Sequence, residues 1–134
     1  MRIFLIAAVL ATGSLNAQGA PILWDAAQSR ENAQAVVKSI SSAHKAISEG
    51  RMDAGKAYLP TLDRLEAGFK DQQTFKDAPT ARYGSCLDAL QSFRPYLVES
   101  LKERTEWRAS YLKSAKKIYT GDVQACRRTA SKEL

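Results

Sequence analysis

The chain has 134 residues, with 20 Lys and Arg against 14 Asp and Glu, and it contains one histidine and two cysteines. This length accommodates one domain with a single core and is too short for two ordinary domains. The small number of His and Cys residues argues against a zinc site, which needs three or four His, Cys or carboxylate ligands. Lys and Arg exceed Asp and Glu by nine to four in residues 102–134, whereas the two signs balance in residues 18–101.

The N-terminal segment has the pattern of a secretory signal peptide. Arg2 supplies a positive start, residues 3–11 form an apolar run, and the small residue Ala17 ends a cleavable segment. We therefore predict removal of residues 1–17, export to the periplasm or the exterior, and one helical domain over residues 18–134. The alternative is an uncleaved N-terminal anchor, although the apolar run is shorter than the roughly 20 residues of a membrane span.

The composition of the predicted domain favours helix, since Ala, Leu, Lys, Arg, Gln and Glu dominate and Gly and Pro are few. The first helix is predicted to begin at Asp25, whose side chain can accept from the next turn while Gln28 completes a capping box. Gly50 is expected to end this helix in the left-handed conformation. The apolar seam between them has three- and four-residue spacing and comprises Ala33, Val36, Val37, Ile40, Ala43, His44 and Ile47.

A second helix is predicted from about Met52, so that residues 49–51 form the tight turn of a helical hairpin. Pro60 lacks a backbone N–H and should kink this helix or divide it near Leu59. Its apolar face comprises Ala54, Tyr58, Leu62, Leu65 and Phe69. The polar segment 70–78 has no clear period and is predicted to be the longest loop.

A third helix is predicted to start near Pro79, a suitable first-turn residue, with Asp77 as its cap. Its apolar stripe is the strongest in the chain and comprises Tyr83, Cys86, Leu87, Leu90, Phe93, Leu97 and Leu101. Pro95 is expected to bend this helix. The stripe loses its phase after Leu101, which predicts a turn within residues 102–106.

A fourth helix is predicted to run to about Tyr119. Its apolar face comprises Trp107, Tyr111, Ala115 and Ile118. Gly121 is expected to end it, and Asp122 is expected to cap a short last helix that carries Cys126. The predicted fold is therefore all-α, an antiparallel bundle of about four helices plus a short C-terminal helix, with one disulfide.

The two cysteines provide a geometric test of this layout. Two cysteines in an exported chain usually pair, and the alternative is free thiols or a bond between chains. If residues 79–119 formed one straight helix, Cys86 would lie about 50 Å from residue 119. The chain from there to Cys126 spans at most roughly 25 Å, so the Cα atoms could not approach within about 7 Å, as a disulfide requires. An intramolecular bond between Cys86 and Cys126 therefore requires a reversal, as the phase break at 102–106 predicts.

No recognisable catalytic or cofactor motif accompanies the predicted helices. His44 is the only histidine, and the serines near it lack a nucleophile elbow, so we expect it to be a packed or surface residue. The cysteines have no Cys-x-x-Cys spacing, which favours a structural rather than a redox role. We therefore expect a protein with no enzymatic activity, no metal and no cofactor.

The C-terminal region interleaves aromatic and cationic residues, a pattern found on surfaces that bind acidic proteins or anionic lipids. The candidate partner-binding residues are Arg104, Trp107, Arg108, Lys113, Lys116 and Lys117. The leading hypothesis is an exported, non-catalytic inhibitor, immunity protein or accessory protein that binds a protein of the cell envelope and does not bind nucleic acid. The alternative is a protein that binds a membrane surface, or an apolar ligand in a cleft opened by Pro60 and Pro95. The same cations are also consistent with a solvated helix surface that serves only solubility.

Overall fold

The computed structural model describes residues 20–132, and every regular element in that range is helical. In chain order the elements are α1 (Ala26–Ser48), α2 (Met52–Lys56), α3 (Leu59–Gln72), a 3-10 helix (Pro79–Tyr83), α4 (Gly84–Ser100) and α5 (Glu106–Ser131). The prediction of an all-α bundle of about four main helices with one disulfide is confirmed. Within the described range, no helix is long and apolar enough to cross a membrane. The predicted signal peptide, residues 1–17, lies outside the described residues.

Helix α1 begins and ends as its sequence predicts. The Asp25 side chain accepts from the Gln28 backbone N–H at 2.7 Å, and the Gln28 side chain accepts from the Asp25 N–H at 2.9 Å, which together form a capping box. At the other end Gly50 adopts a φ of 78°, and Arg51 donates its N–H to the Ala46 carbonyl. This Schellman-type end satisfies carbonyls that a helix terminus otherwise leaves free.

Pro60 divides the second predicted helix, as expected near Leu59. Helix α2 ends at Lys56, and Pro60 lies in the first turn of α3, where its missing N–H breaks no helical bond. The prediction of a loop over residues 70–78 is wrong at its start, because α3 continues to Gln72. Gln72 is only 1% exposed. Its side-chain amide is satisfied because it accepts from the Trp24 N–H and donates to the Ile22 carbonyl, both at 2.8 Å. A polar residue is therefore buried at the end of a helix.

The third predicted helix starts differently from expectation. Pro79 opens a 3-10 helix, and the regular α-helix α4 begins five residues later, at Gly84. Asp77 does not cap it: the backbone of this residue has a φ of 57°, and the N-cap position is occupied by Ala78, which makes no side-chain cap bond. The left-handed backbone at Asp77 turns the chain before the 3-10 helix, and no side-chain hydrogen bond replaces the predicted cap.

Helices α4 and α5 form the antiparallel hairpin that the cysteines require. The chain reverses between Leu101 and Thr105, and the Thr105 side chain caps α5 by accepting from the Arg108 N–H. Cys86 and Cys126 are bonded, with their Cα atoms 4.6 Å apart and both side chains fully buried. The predicted pairing is therefore confirmed, and closing a loop of 40 residues stabilises the fold by about 3–4 kcal/mol.

The prediction of a separate short C-terminal helix is wrong, because α5 continues without a break through Gly121 and Asp122. A helical glycine costs about 1 kcal/mol relative to alanine. Buried side chains on both sides of it continue one face of α5 and offset that cost. These side chains are Tyr119, Val123, Cys126 and Ala130. Asp122 accepts a hydrogen bond from the Ser92 hydroxyl of α4 at 2.8 Å and caps nothing.

Two glycine substitutions test the end of α1 and the continuity of α5. Gly121→Ala should raise the free energy of unfolding by about 0.5–1 kcal/mol, because the added Cβ meets no atom within 4 Å in an intact helix. Gly50→Ala should lower it by about 1–2 kcal/mol, because a φ of 78° is strained for an L side chain. Urea unfolding of both variants measures the two values. Destabilisation by Gly121→Ala would show that the helix ends there.

Candidate functional site

The six predicted partner-binding residues do not form one surface. Arg104, Lys113 and Lys116 line a cleft between α1 and α5, and all three side chains are exposed at its edge. Trp107 is exposed elsewhere, and Lys117 is exposed without lining this cleft. Arg108, the sixth residue, is half-buried against α4.

Arg108 holds the turn between α4 and α5 together. Its Nε donates to a carboxylate oxygen of Glu99 at 3.0 Å, and one of its terminal nitrogens donates to the Glu103 carbonyl. Hydrogen bonds from Lys102 and then Arg108 lower the pKa of Glu99. The guanidinium of Arg108 is therefore bonded within the hairpin. Fewer cations are available to a partner than the Lys and Arg content of this region indicates.

The apolar face predicted for the fourth helix is oriented away from the core. Trp107 is 66% exposed and Ile118 is 62% exposed, and only Ala115 of the predicted set packs on the core cluster. The inward face includes Leu112 and Tyr119 instead. The rings of Trp107 and Tyr111 stack with centroids 5.6 Å apart and an interplanar angle of 13°. We call Trp107, Tyr111 and Ile118 the outer stripe of α5.

A second feature is the cleft itself, which has a volume of about 370 Å³ and which we call the cationic cleft. Arg104, Lys113 and Lys116 contribute its positive charge. Its other walls are the C-terminal ends of α1 and α4 together with Met52 at the start of α2. The residues that line it in the described part of the chain include no Asp or Glu.

His44 lies on the α1 wall of the cationic cleft, where the sequence indicated only a packed or surface residue. Its Nδ1 lies 2.7 Å from the Tyr119 hydroxyl, and its Nε2 lies 3.2 Å from the Ser48 hydroxyl. Burial, and to a lesser degree the nearby Lys116 charge, lower the pKa of His44, so the imidazole is neutral at pH 7. Burial also raises the pKa of Tyr119, so both members of the pair are uncharged.

The ring of Tyr119 packs in an aromatic cluster with two residues of α4. The Tyr119 ring lies 4.8 Å from the Tyr96 ring and 4.9 Å from the Phe93 ring, measured between centroids. These contacts fix the Tyr119 hydroxyl and thereby the plane of the His44 imidazole. Spacing along α1 places His44 one turn after Ile40, but the partners of His44 on α4 and α5 become neighbours only in the folded chain.

A larger cavity of about 410 Å³ lies between the end of α3 and the 3-10 helix. Phe69, Phe75 and Tyr83 contribute to its mainly apolar lining. The Tyr83 hydroxyl is buried and has no hydrogen-bond partner among the described residues. Neither Pro60 nor Pro95 lines this cavity or the cationic cleft. Neither of these two cavities is therefore the apolar cleft that the sequence predicted at the prolines.

Within residues 20–132, no group of three or more His, Cys, Asp or Glu side chains is arranged to hold a metal ion. No protein-family model, curated protein or solved structure matches this chain.

The environment of His44 predicts a pH dependence of stability. Because its pKa is lowered in the folded state, the unfolded chain takes up the proton first as the pH falls below about 6.5. The contribution of His44 to the free energy of unfolding is fully present well above pH 6.5 and is lost as the pH falls. The free energy of unfolding should therefore be lower at pH 5.5 than at pH 7.5. His44→Gln should remove this decrease, since His44 is the only histidine. Urea unfolding at the two pH values measures it, and an equal decrease in both proteins would contradict the assignment.

Proposed function

We propose that this chain is a small exported, non-catalytic protein of the periplasm or exterior that binds an acidic protein of the cell envelope. The observation that carries the proposal is the outer stripe of α5. Trp107 and Ile118 are both more than 60% exposed and lie on the same side of α5, and aligned exposed apolar side chains are a feature of protein interaction sites. Tryptophan and tyrosine are also the residues most enriched among the energetically dominant contacts of protein interfaces.

The charge of the same region indicates the chemistry of the partner. Residues 102–134 carry nine Lys and Arg against four Asp and Glu. Lys117 is exposed on α5 outside the cationic cleft, and it makes no ion pair within the described part of the chain. A positive surface around an apolar stripe is complementary to a partner with acidic residues around an apolar depression. Inhibitors, immunity proteins and accessory subunits of the envelope all act through such rigid surfaces.

Export is supported by two independent features. The N-terminal segment carries the charge, apolar run and small terminal residue of a signal peptide. The buried Cys86–Cys126 bond suits an oxidising compartment, because cytosolic thiols are kept reduced.

Mass spectrometry of the protein from its native host tests export. We expect an N-terminus at Gln18 and no thiol that reacts with an alkylating reagent before reduction. Reduction should then release two reactive thiols, which serves as the internal control. An intact N-terminus together with two alkylatable thiols before reduction would overturn the assignment to an exported protein.

Partner binding is tested with a photo-crosslinking residue at position 107, and at position 22 as a control. Ile22 provides a matched control for Ile118, because both are isoleucines with 62% exposure. The protein that is crosslinked only from position 107 is purified, and its Kd is measured with each variant. Ile118→Ser and Trp107→Ser should each weaken binding by about 30-fold, corresponding to a contact worth about 2 kcal/mol. Ile22→Ser should leave the Kd within about twofold, by the same relation.

Three results would contradict the proposal. One is an unchanged Kd in the Trp107→Ser and Ile118→Ser variants. Another is a crosslinked partner without acidic residues, for which the affinity would not fall as the salt concentration rises. The last is sedimentation of the protein with anionic vesicles, dependent on Ile118, without any protein crosslink, since that would assign the outer stripe to a bilayer.

A further inference from the structure

The cationic cleft has an uncompensated positive charge. Arg104, Lys113 and Lys116 make no hydrogen bond through their side chains and no ion pair within residues 20–132. Elsewhere in the same range Arg94 pairs with Asp63 and Arg108 pairs with Glu99, whereas other exposed cations such as Lys117 are as unpaired as those of the cleft. Three like charges around one concave site repel one another, and a bound anion would relieve that repulsion.

The ends of α1 and α4 do not account for these cations. A helix C-terminus carries a partial negative charge that basic side chains can satisfy. Here backbone N–H groups already bond to the terminal carbonyls: Arg51 to the Ala46 carbonyl at the end of α1, and Lys102 to the Glu99 carbonyl at the end of α4. These carbonyls already accept backbone hydrogen bonds, and the three exposed cations remain accessible to a ligand.

The cleft also has an apolar component. Ile47 and Leu112 form part of its walls, and Met52 lies at its edge with 41% exposure. Its volume of about 370 Å³ falls in the range of sites for small molecules, and its lining presents more polar than apolar surface. A ligand with one charged end and one apolar end matches this division.

We propose that the cationic cleft binds a small organic anion in which a phosphate group is joined to an apolar body. Arg104, Lys113 and Lys116 contact the phosphate oxygens, and Ile47 and Met52 pack against the apolar body. Three cations match the double negative charge of a phosphate monoester better than the single charge of a carboxylate, and the Arg104 guanidinium can donate two parallel hydrogen bonds to it.

The neutral state of His44 agrees with this proposal. Burial, and to a lesser degree the charge of Lys116, lower the pKa of His44, so the imidazole adds no positive charge to the cleft at pH 7. A neutral imidazole held between the Tyr119 and Ser48 hydroxyls leaves the net charge of the cleft to the three cations. This inference is independent of the proposed partner, because the outer stripe of α5 contributes no residue to the cleft.

Calorimetric titration with phenyl phosphate tests the proposal on the protein lacking residues 1–17, with the disulfide intact. We expect saturable binding to one site, at least tenfold weaker in the double variant Lys113→Gln, Lys116→Gln. The matched control is the double variant Lys117→Gln, Arg128→Gln, which makes the same charge change on exposed positions of α5 outside the cleft. This control should bind within twofold of the unaltered protein.

Several results would overturn the proposal. Absence of saturable binding to the unaltered protein is one, and an equal loss in the two double variants is another, since that would reflect net charge alone. Inorganic phosphate should bind at least tenfold more weakly than phenyl phosphate, and equal affinity would remove the apolar walls from the site. Trp107→Ser should leave phenyl phosphate binding unchanged, which separates a failure here from a failure of the proposed protein partner.

Two sources could provide the phosphate, and vesicles distinguish them. If the unaltered protein binds phosphatidic acid vesicles and the Lys113→Gln, Lys116→Gln variant does not, the result would support the proposal with a lipid headgroup as the ligand. Binding of phenyl phosphate without such vesicle binding would support it with a soluble phosphate ester. Vesicle binding that the cleft variant retains, without binding of phenyl phosphate, would contradict it.

Discussion

The bond between Cys86 and Cys126 is the constraint on which the arrangement of this protein depends. It joins the first turn of α4 to the last turns of α5 and requires the chain to reverse between them. Because both cysteines are fully buried, the bond also selects which face of α5 meets the core. Residues three and seven positions before Cys126 share that face, so Val123 and Tyr119 are buried with it.

The rotation of α5 determined in this way separates its cations from its exposed apolar side chains. At about 100° per residue, Ile118 lies roughly a quarter turn to one side of Cys126, and Lys116 lies roughly a quarter turn to the other. Lys116 consequently faces α1 and the cationic cleft, whereas Ile118 is exposed on the same side of α5 as Trp107 and Tyr111, two to three turns further along. One basic helix thus presents two surfaces of different chemistry, so the proposed protein partner and the proposed small anion would occupy different sides of it.

The pairing of His44 with Tyr119 connects the cleft to the core. Tyr119 contacts the aromatic rings of α4 through its own ring and His44 of α1 through its hydroxyl. A polar contact at this depth links three helices, and it holds the α1 wall of the cleft at a defined distance from α5. The floor of the cleft is therefore part of the packed core rather than a feature of mobile surface side chains.

The boundaries of α1 follow from its sequence more closely than those of α5, for a physical reason. Helix α1 was predicted closely because its start depends on Asp25 and Gln28, three residues apart, and its end depends on the left-handed Gly50. Gly121 has the same residue type but sits within α5, because burial on either side of it outweighs a helix penalty of about 1 kcal/mol. Local propensity decides a helix boundary only where tertiary packing leaves the choice open.

Periodicity, capping and the length of chain available were sufficient to predict the helical class, the reversal after Leu101 and the pairing of the cysteines. Tertiary packing sets the rotation of α5, the continuation of that helix to Ser131 and the position of Arg104, Lys113 and Lys116 around the cleft that His44 lines. Those features depend on contacts between residues far apart in the chain. Periodicity reveals that a helix has an apolar face, but when two apolar sets compete, only the packed neighbours select the one that is buried.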